Sequence, residues 1–110
     1  MKLPNAARAF VDIAKLRAYC LDNGHPDGRH KARVFRSALD MSAEDAELLR
    51  QAILDAVTGV EAVEGELDAY GSRYVVDFEL RRGTKQATIR TVWMVRRNED
   101  FPRLLTCFVS

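Results

Sequence analysis

The hydrophobic pattern changes period once, near residue 72, and divides the chain into a helical part and a stranded part. Asp12 has the chemistry of an N-cap for a first helix over residues 13–21, where Ile13, Leu16 and Cys20 share a face. Asn23-Gly24 stops that helix. Pro26 and Gly28 then break regular structure, so residues 22–28 read as a loop. From Arg29 the helical spacing returns, with Ala32, Phe35 and Leu39 on one face of a helix over 29–39. A third helix begins after Ser42, where Asp45 stands three residues on as a short version of a capping box. Glu44, Asp45 and Glu47 suit the positive end of its dipole. Ala46, Leu49, Ile53 and Val57 form its stripe, and Gly59 ends it.

Residues 60–72 read as an acidic short strand or loop. Then Tyr74, Val76, Phe78 and Leu80 alternate with Arg73, Val75, Asp77 and Glu79, which predicts a half-buried strand over 73–80. Arg82-Gly83 makes a turn. Residues 86–97 form a longer strand with Ala87, Ile89, Thr91, Trp93 and Val95 on one face. Thr88, Arg90, Val92, Met94 and Arg96 take the other. A loop over 98–102 leads to a last strand at 104–109, where Leu104, Thr106 and Phe108 oppose Leu105, Cys107 and Val109. Helices first and strands after predict an α+β fold rather than alternating α/β. Short links between strands require antiparallel pairing. The expected architecture is three N-terminal helices packed on a C-terminal antiparallel sheet of three to four strands, in a single domain over residues 1–110.

Composition changes this picture little. At 110 residues and 47% hydrophobic, the chain can build a real core. It has no apolar run long enough to span a membrane. Its start, Met1-Lys2-Leu3-Pro4-Asn5, lacks the apolar core of a secretory signal, so a cytoplasmic location is expected. Cys20 and Cys107 make no disulfide framework and are expected buried and reduced. Net charge is +1, yet its distribution is uneven. Residues 1–40 carry eight basic and four acidic side chains, and residues 70–110 carry the same numbers. Residues 41–69 carry one basic and eight acidic. If the two basic segments fold together they present a positive face to an anionic partner; otherwise the segments neutralise each other.

Candidate chemistry gathers at His25-Pro26-Asp27-Gly28-Arg29-His30-Lys31, which holds both histidines of the chain. Cations in a first helical turn oppose the dipole at a cost of roughly 0.3–1 kcal/mol each, which an anion at that place would offset. A solvated basic face accounts for the same residues. Metal-ligand spacing, a P-loop and a Gly-rich dinucleotide fingerprint are all lacking, so neither metal nor cofactor is expected. Cleaving RNA without a metal needs a base for the 2′-hydroxyl, an acid for the leaving oxygen and a cation at the phosphate. His25, His30, Lys31 and the neighbouring arginines supply those types. On the long strand, Thr91 and Trp93 would meet Thr106 if the two strands pair. Such a group is either sheet packing or the floor of a polar cleft with Trp93 stacking on a base.

Leu16-Arg17-x-Tyr19-Cys20-Leu21, His25-Pro26-x-Gly28-x-x-Lys31-Ala32-x-Val34-Phe35, Tyr70-Gly71-x-x-Tyr74-x-Val76, Val92-Trp93-x-Val95 and Pro102-Arg103-Leu104-x-Thr106 resemble one uncharacterised bacterial family. Its members resemble the C-terminal tips of polymorphic and contact-dependent toxins, and the likeness covers about residues 10–109. Its layout is similar to the barnase–EndoU–colicin–RelE group of metal-independent RNases, an analogy at fold level. That resemblance implies a substrate on the sheet beside polar residues of the first helices. The candidate catalytic residues are then His25, Lys31 and Thr106. Arg73 and Arg96 become phosphate contacts, and His30, Thr91 and Trp93 line the substrate. His30 departs from the family pattern, in which other polar residues stand at its place. The expected function is a toxin-like ribonuclease acting on RNA and held by a cognate antitoxin or immunity protein. The alternative is a non-catalytic binding module of the same kind of system, such as an antitoxin, an immunity protein or an adaptor.

Overall fold

A computed structural model describes residues 1–110. Three helical segments precede a four-stranded antiparallel meander in the order β1-β2-β3-β4. The first helix, α1, is one α turn over Ile13–Lys15 that runs into a π turn over Leu16–Cys20. Asp12 caps it as expected, accepting from Ala14 N at 3.0 Å. The regular helix expected over 13–21 is therefore broken, and Leu21 N donates to Leu16 O five residues back. The wider turn lets Leu16, Cys20 and Leu21 all be buried.

Helix α2 covers Arg29–Leu39 and α3 covers Ala46–Val57, each burying its expected stripe. Ser42 N donates to Asp45 Oδ2 at 3.0 Å, so the Asp is long enough to serve in the capping box. The strands are β1, Ala62–Leu67; β2, Gly71–Arg82; β3, Lys85–Arg96; and β4, Pro102–Val109. No helix is long and apolar enough to cross a membrane.

The helices cover one face of the sheet. Phe35, Leu39, Leu49 and Ile53 meet Val76, Ile89, Trp93 and Leu104 in one core. Thr91 lies in that core with no exposed surface. Its hydroxyl donates to Val76 O and accepts from Trp93 Nε1, both at 2.7 Å. A buried indole N–H needs such a partner, and Thr91 supplies it. The opposite face stays open. There Asp77 and Arg90 are cross-strand partners and form a two-point ion pair, with both contacts at 2.9 Å.

The register of β4 differs from strict alternation. Trp93 pairs with Leu104, whereas Val92 pairs with Thr106, so Leu105 is an extra residue at a bulge. Leu104 and Cys107 are consequently both buried, although simple alternation puts them on opposite faces. Thr91 faces Cys107, and Thr106 is not its partner.

Candidate functional site

The bulge of β4, the π turn of α1 and the start of α2 enclose a cleft of about 430 Å³ lined by Lys15, Tyr19, Lys31, Leu105 and Thr106. Each lining group has a local cause. Lys15 and Tyr19 are four residues apart on α1 and lie on one side of it. Lys31 enters from the first turn of α2 and donates to Tyr19 Oη at 3.1 Å. The Phe108 ring lies 5.9 Å from the Lys31 ammonium, which limits where that long side chain can go.

Gly28 makes this approach possible. It is buried, and a Cβ there would stand 2.1 Å from Tyr19 O. Its φ of −87° is ordinary, so the close approach alone demands glycine. The glycine of the His-Pro-x-Gly stretch therefore sets α2 against α1.

His25 has a structural task in this loop. Its Nδ1 accepts from the backbone N–H of Asp27 and of Gly28, each at 3.0 Å, and its carbonyl accepts from Arg29 N. These bonds place the ring proton on Nε2, so neither nitrogen offers a free lone pair to a substrate hydroxyl. The ring meets Tyr19 edge-on, with centroids 4.8 Å apart. His25 and Lys31 thus both brace Tyr19, but His25 does not line the cleft. The expected convergence of His25 and Lys31 on one pocket is thus not seen, and His25 instead braces its loop and the Tyr19 ring.

Of the other expected residues, Lys31 and Thr106 come together. His30 is exposed and lines a shallow depression of about 290 Å³ with Lys31, Val34 and Phe108. Thr91 and Trp93 do not reach a ligand: both are sealed in the core, and the indole N–H is taken by Thr91. Arg73 and Arg96 lie elsewhere, in a second cleft at the end of β3. Tyr19 and Lys15 are absent from the residues that sequence reasoning selects. Their i, i+4 spacing is visible in the sequence, but the contact of Tyr19 with Lys31 comes from tertiary packing.

Behind Thr106 lie the two thiols. Cys20 Sγ is 3.9 Å from Thr106 Oγ1, and the Cys107 thiol is its neighbour in the core. The Cys107 S–H draws Cys20 down from 9.0 to about 6, against the opposing effect of burial, with help from Thr106 and the Lys31 charge. Cys107 is pushed up by its neighbour Cys20, and burial adds to the rise. Both cysteines are free and buried. Nowhere do three histidine, cysteine or acidic side chains converge as a metal site would require.

A family model for a domain of unknown function, DUF6883, matches residues 2–110. The chain belongs to the DUF6883 family. No curated protein and no solved structure matches it. The β4-edge cleft of this DUF6883 chain offers two ammonium groups, a phenol and a hydroxyl on a framework held by Gly28 and His25.

Proposed function

We propose that the domain is a toxin-like, metal-independent ribonuclease working from the β4-edge cleft. The observation that carries this reading is the Lys31 ammonium, held on Tyr19 Oη in a cleft that also contains Lys15 and Thr106. In the proposed reaction the 2′-hydroxyl attacks the adjacent phosphorus and the bond from phosphorus to the 5′-oxygen breaks. The products are a 2′,3′-cyclic phosphate and a free 5′-hydroxyl. Lys31 and Lys15 stabilise charge on the phosphoryl oxygens, and Thr106 donates a hydrogen bond to one of them. Tyr19 gives its phenolic proton to the leaving oxygen. Water in the open cleft takes the 2′-hydroxyl proton and later returns one to the phenolate. RNA implies a cytoplasmic site of action, and a cognate antitoxin or immunity protein is the partner such a toxin needs.

One observation favours a second reading, a non-catalytic binding module. The His25 imidazole has its Nδ1 committed to backbone, which leaves the cleft without a ready general base. Incubation with total RNA and a chelator separates the two. The nuclease reading expects cleavage by the wild type, with losses of about 10²–10³-fold for Lys31→Ala and for Tyr19→Phe. Equal cleavage by all three proteins would indicate a contaminant. Binding without cleavage would establish the second reading.

A further inference from the structure

We propose that the second cleft, between the β1–β2 turn and the end of β3, is a stacking and phosphate subsite for a single-stranded segment of the same RNA. The inference rests on the RNA reading of the β4-edge cleft. The second cleft has a volume of about 430 Å³ and is lined by Tyr70, Arg73, Met94, Arg96 and Arg97, among others. It lacks enough carboxylates to balance its guanidinium groups. Asp68 pairs with Arg73 at 3.2 Å. Glu99 is taken by Arg103 through two contacts, at 2.7 and 2.6 Å, and Arg96 reaches the same carboxylate only at 3.9 Å. Arg97 donates Nε and Nη2 to the Asp68 carbonyl and forms no ion pair. Clustered like charges repel, and an anion seated among them relieves the repulsion.

Tyr70 adds an aromatic face to this charge. The residue is 73% exposed, yet its backbone is firmly held. Asp68 Oδ1 accepts from Tyr70 N and Gly71 N, at 2.8 and 3.2 Å. Tyr70 O accepts from Arg97 N at 3.0 Å, and Asp68 N donates to Gly71 O at 3.0 Å. Gly71 is required twice over. Its φ is +151°, and a Cβ there would lie 2.1 Å from Val95 O. The ring is thus displayed by an ordered turn, beside an apolar floor at Met94, which is 7% exposed. A nucleotide has a π face for Tyr70 and a phosphate for the arginines; an acidic peptide has only the charge.

A strand touching both clefts passes round the β4 edge, from the helix-walled cleft to the open face of the sheet. Arg73 pairs with Met94 and Thr106 with Val92, on opposite sides of β3 and two residues apart. Their Cα atoms are then about 12 Å apart, which a few nucleotides span.

The test is fluorescence anisotropy with a labelled oligothymidylate of about eight nucleotides, which lacks the 2′-hydroxyl and cannot be cleaved. Titrations are run over a range of potassium chloride. Tyr70→Ala should weaken binding about five- to a hundredfold, whereas Tyr70→Phe should bind as the wild type does. Arg96→Gln with Arg97→Gln should flatten the log–log salt slope by about 1–1.5. All three side chains are exposed, and thermal melts check that the variants fold. Wild-type affinity and slope in Tyr70→Ala and in the arginine variant would overturn the inference. So would failure of the wild type to bind, or equal competition by polyglutamate. If Lys31→Ala loses binding while Tyr70→Ala keeps it, this subsite falls and the β4-edge cleft stands. If binding depends on Tyr70 but no RNA is cleaved, the subsite stands and the nuclease chemistry falls.

Discussion

The two clefts are built alike and differ in what they hold still. Each has a tyrosine, a group of cations and a glycine that backbone oxygen would approach to 2.1 Å if it carried a Cβ. At the β4 edge the tyrosine side chain itself is braced, by Lys31 at the hydroxyl and by His25 at the ring. At the end of β3 only the backbone of Tyr70 is braced, and the ring is left in solvent. A fixed hydroxyl beside an ammonium suits chemistry at one atom, which depends on preorganised geometry. A free ring on a fixed turn suits sequence-tolerant stacking. On the proposed reading, reaction belongs to the first cleft and grip to the second.

The largest difference between the clefts should show at their two glycines. Gly71→Ala combines a positive φ with a backbone collision and should destabilise the fold by about 3 kcal/mol or more, read by denaturant unfolding. Gly28→Ala meets only the collision and should cost about 1–3 kcal/mol. It should also disturb Tyr19 and so reduce cleavage. Equal effects at both positions would mean that backbone conformation does not distinguish the two sites.

His25 gives a smaller and more discriminating effect. His25→Ala removes the acceptor for two backbone N–H groups and should cost about 1 kcal/mol. His25→Asn offers an amide oxygen to the same donors, as in an Asx turn, and should recover most stability and cleavage. An asparagine variant that is stable but inactive would return His25 to the reaction.

The smallest effect is a titration. Cys20 is pulled to about 6 from 9.0, so its ionised form is the one the fold favours. The thiolate should be present above pH 6 and lost on acidification through that value. Cys107→Ala removes the strongest cause and should move the midpoint upward in thiolate ultraviolet absorbance, and Lys31→Ala should move it up by less. An unchanged midpoint in Cys107→Ala would show that the two thiols do not share a proton.

Most of the fold is legible in the sequence because both periods are strong. Phe35 and Leu39 on α2, Leu49 and Ile53 on α3, and Val76, Ile89 and Trp93 in the strands are buried where their spacing puts them. The apolar weight of Ile89, Trp93 and Val95 already marks their face of β3 as core. The departures have local causes that leave no trace in periodicity. A π turn adds one residue to a helix, and the bulge at Leu105 adds one to a strand; each changes the parity of the residues beyond it. The bulge is why Thr106 meets Cys20 and the cleft rather than Thr91. The site is half legible. Lys31 and Thr106 stand out for their chemistry and do share a cleft. Tyr19 does not stand out, because its role depends on a lysine twelve residues away on another helix. Arg73 and Arg96 read as partners of Lys31, but β3 is long enough to carry Arg96 to the far end of the sheet.

If Lys31 and Tyr19 act together on a phosphodiester, the reaction products carry the mark of it. Phosphorus NMR of a short RNA incubated with the protein and a chelator should show a 2′,3′-cyclic phosphate signal growing with time. In Lys31→Ala that signal should be slower by about 10²-fold or more. A cyclic phosphate formed as fast by Lys31→Ala, or none formed by the wild type, would exclude a Lys31–Tyr19 nuclease.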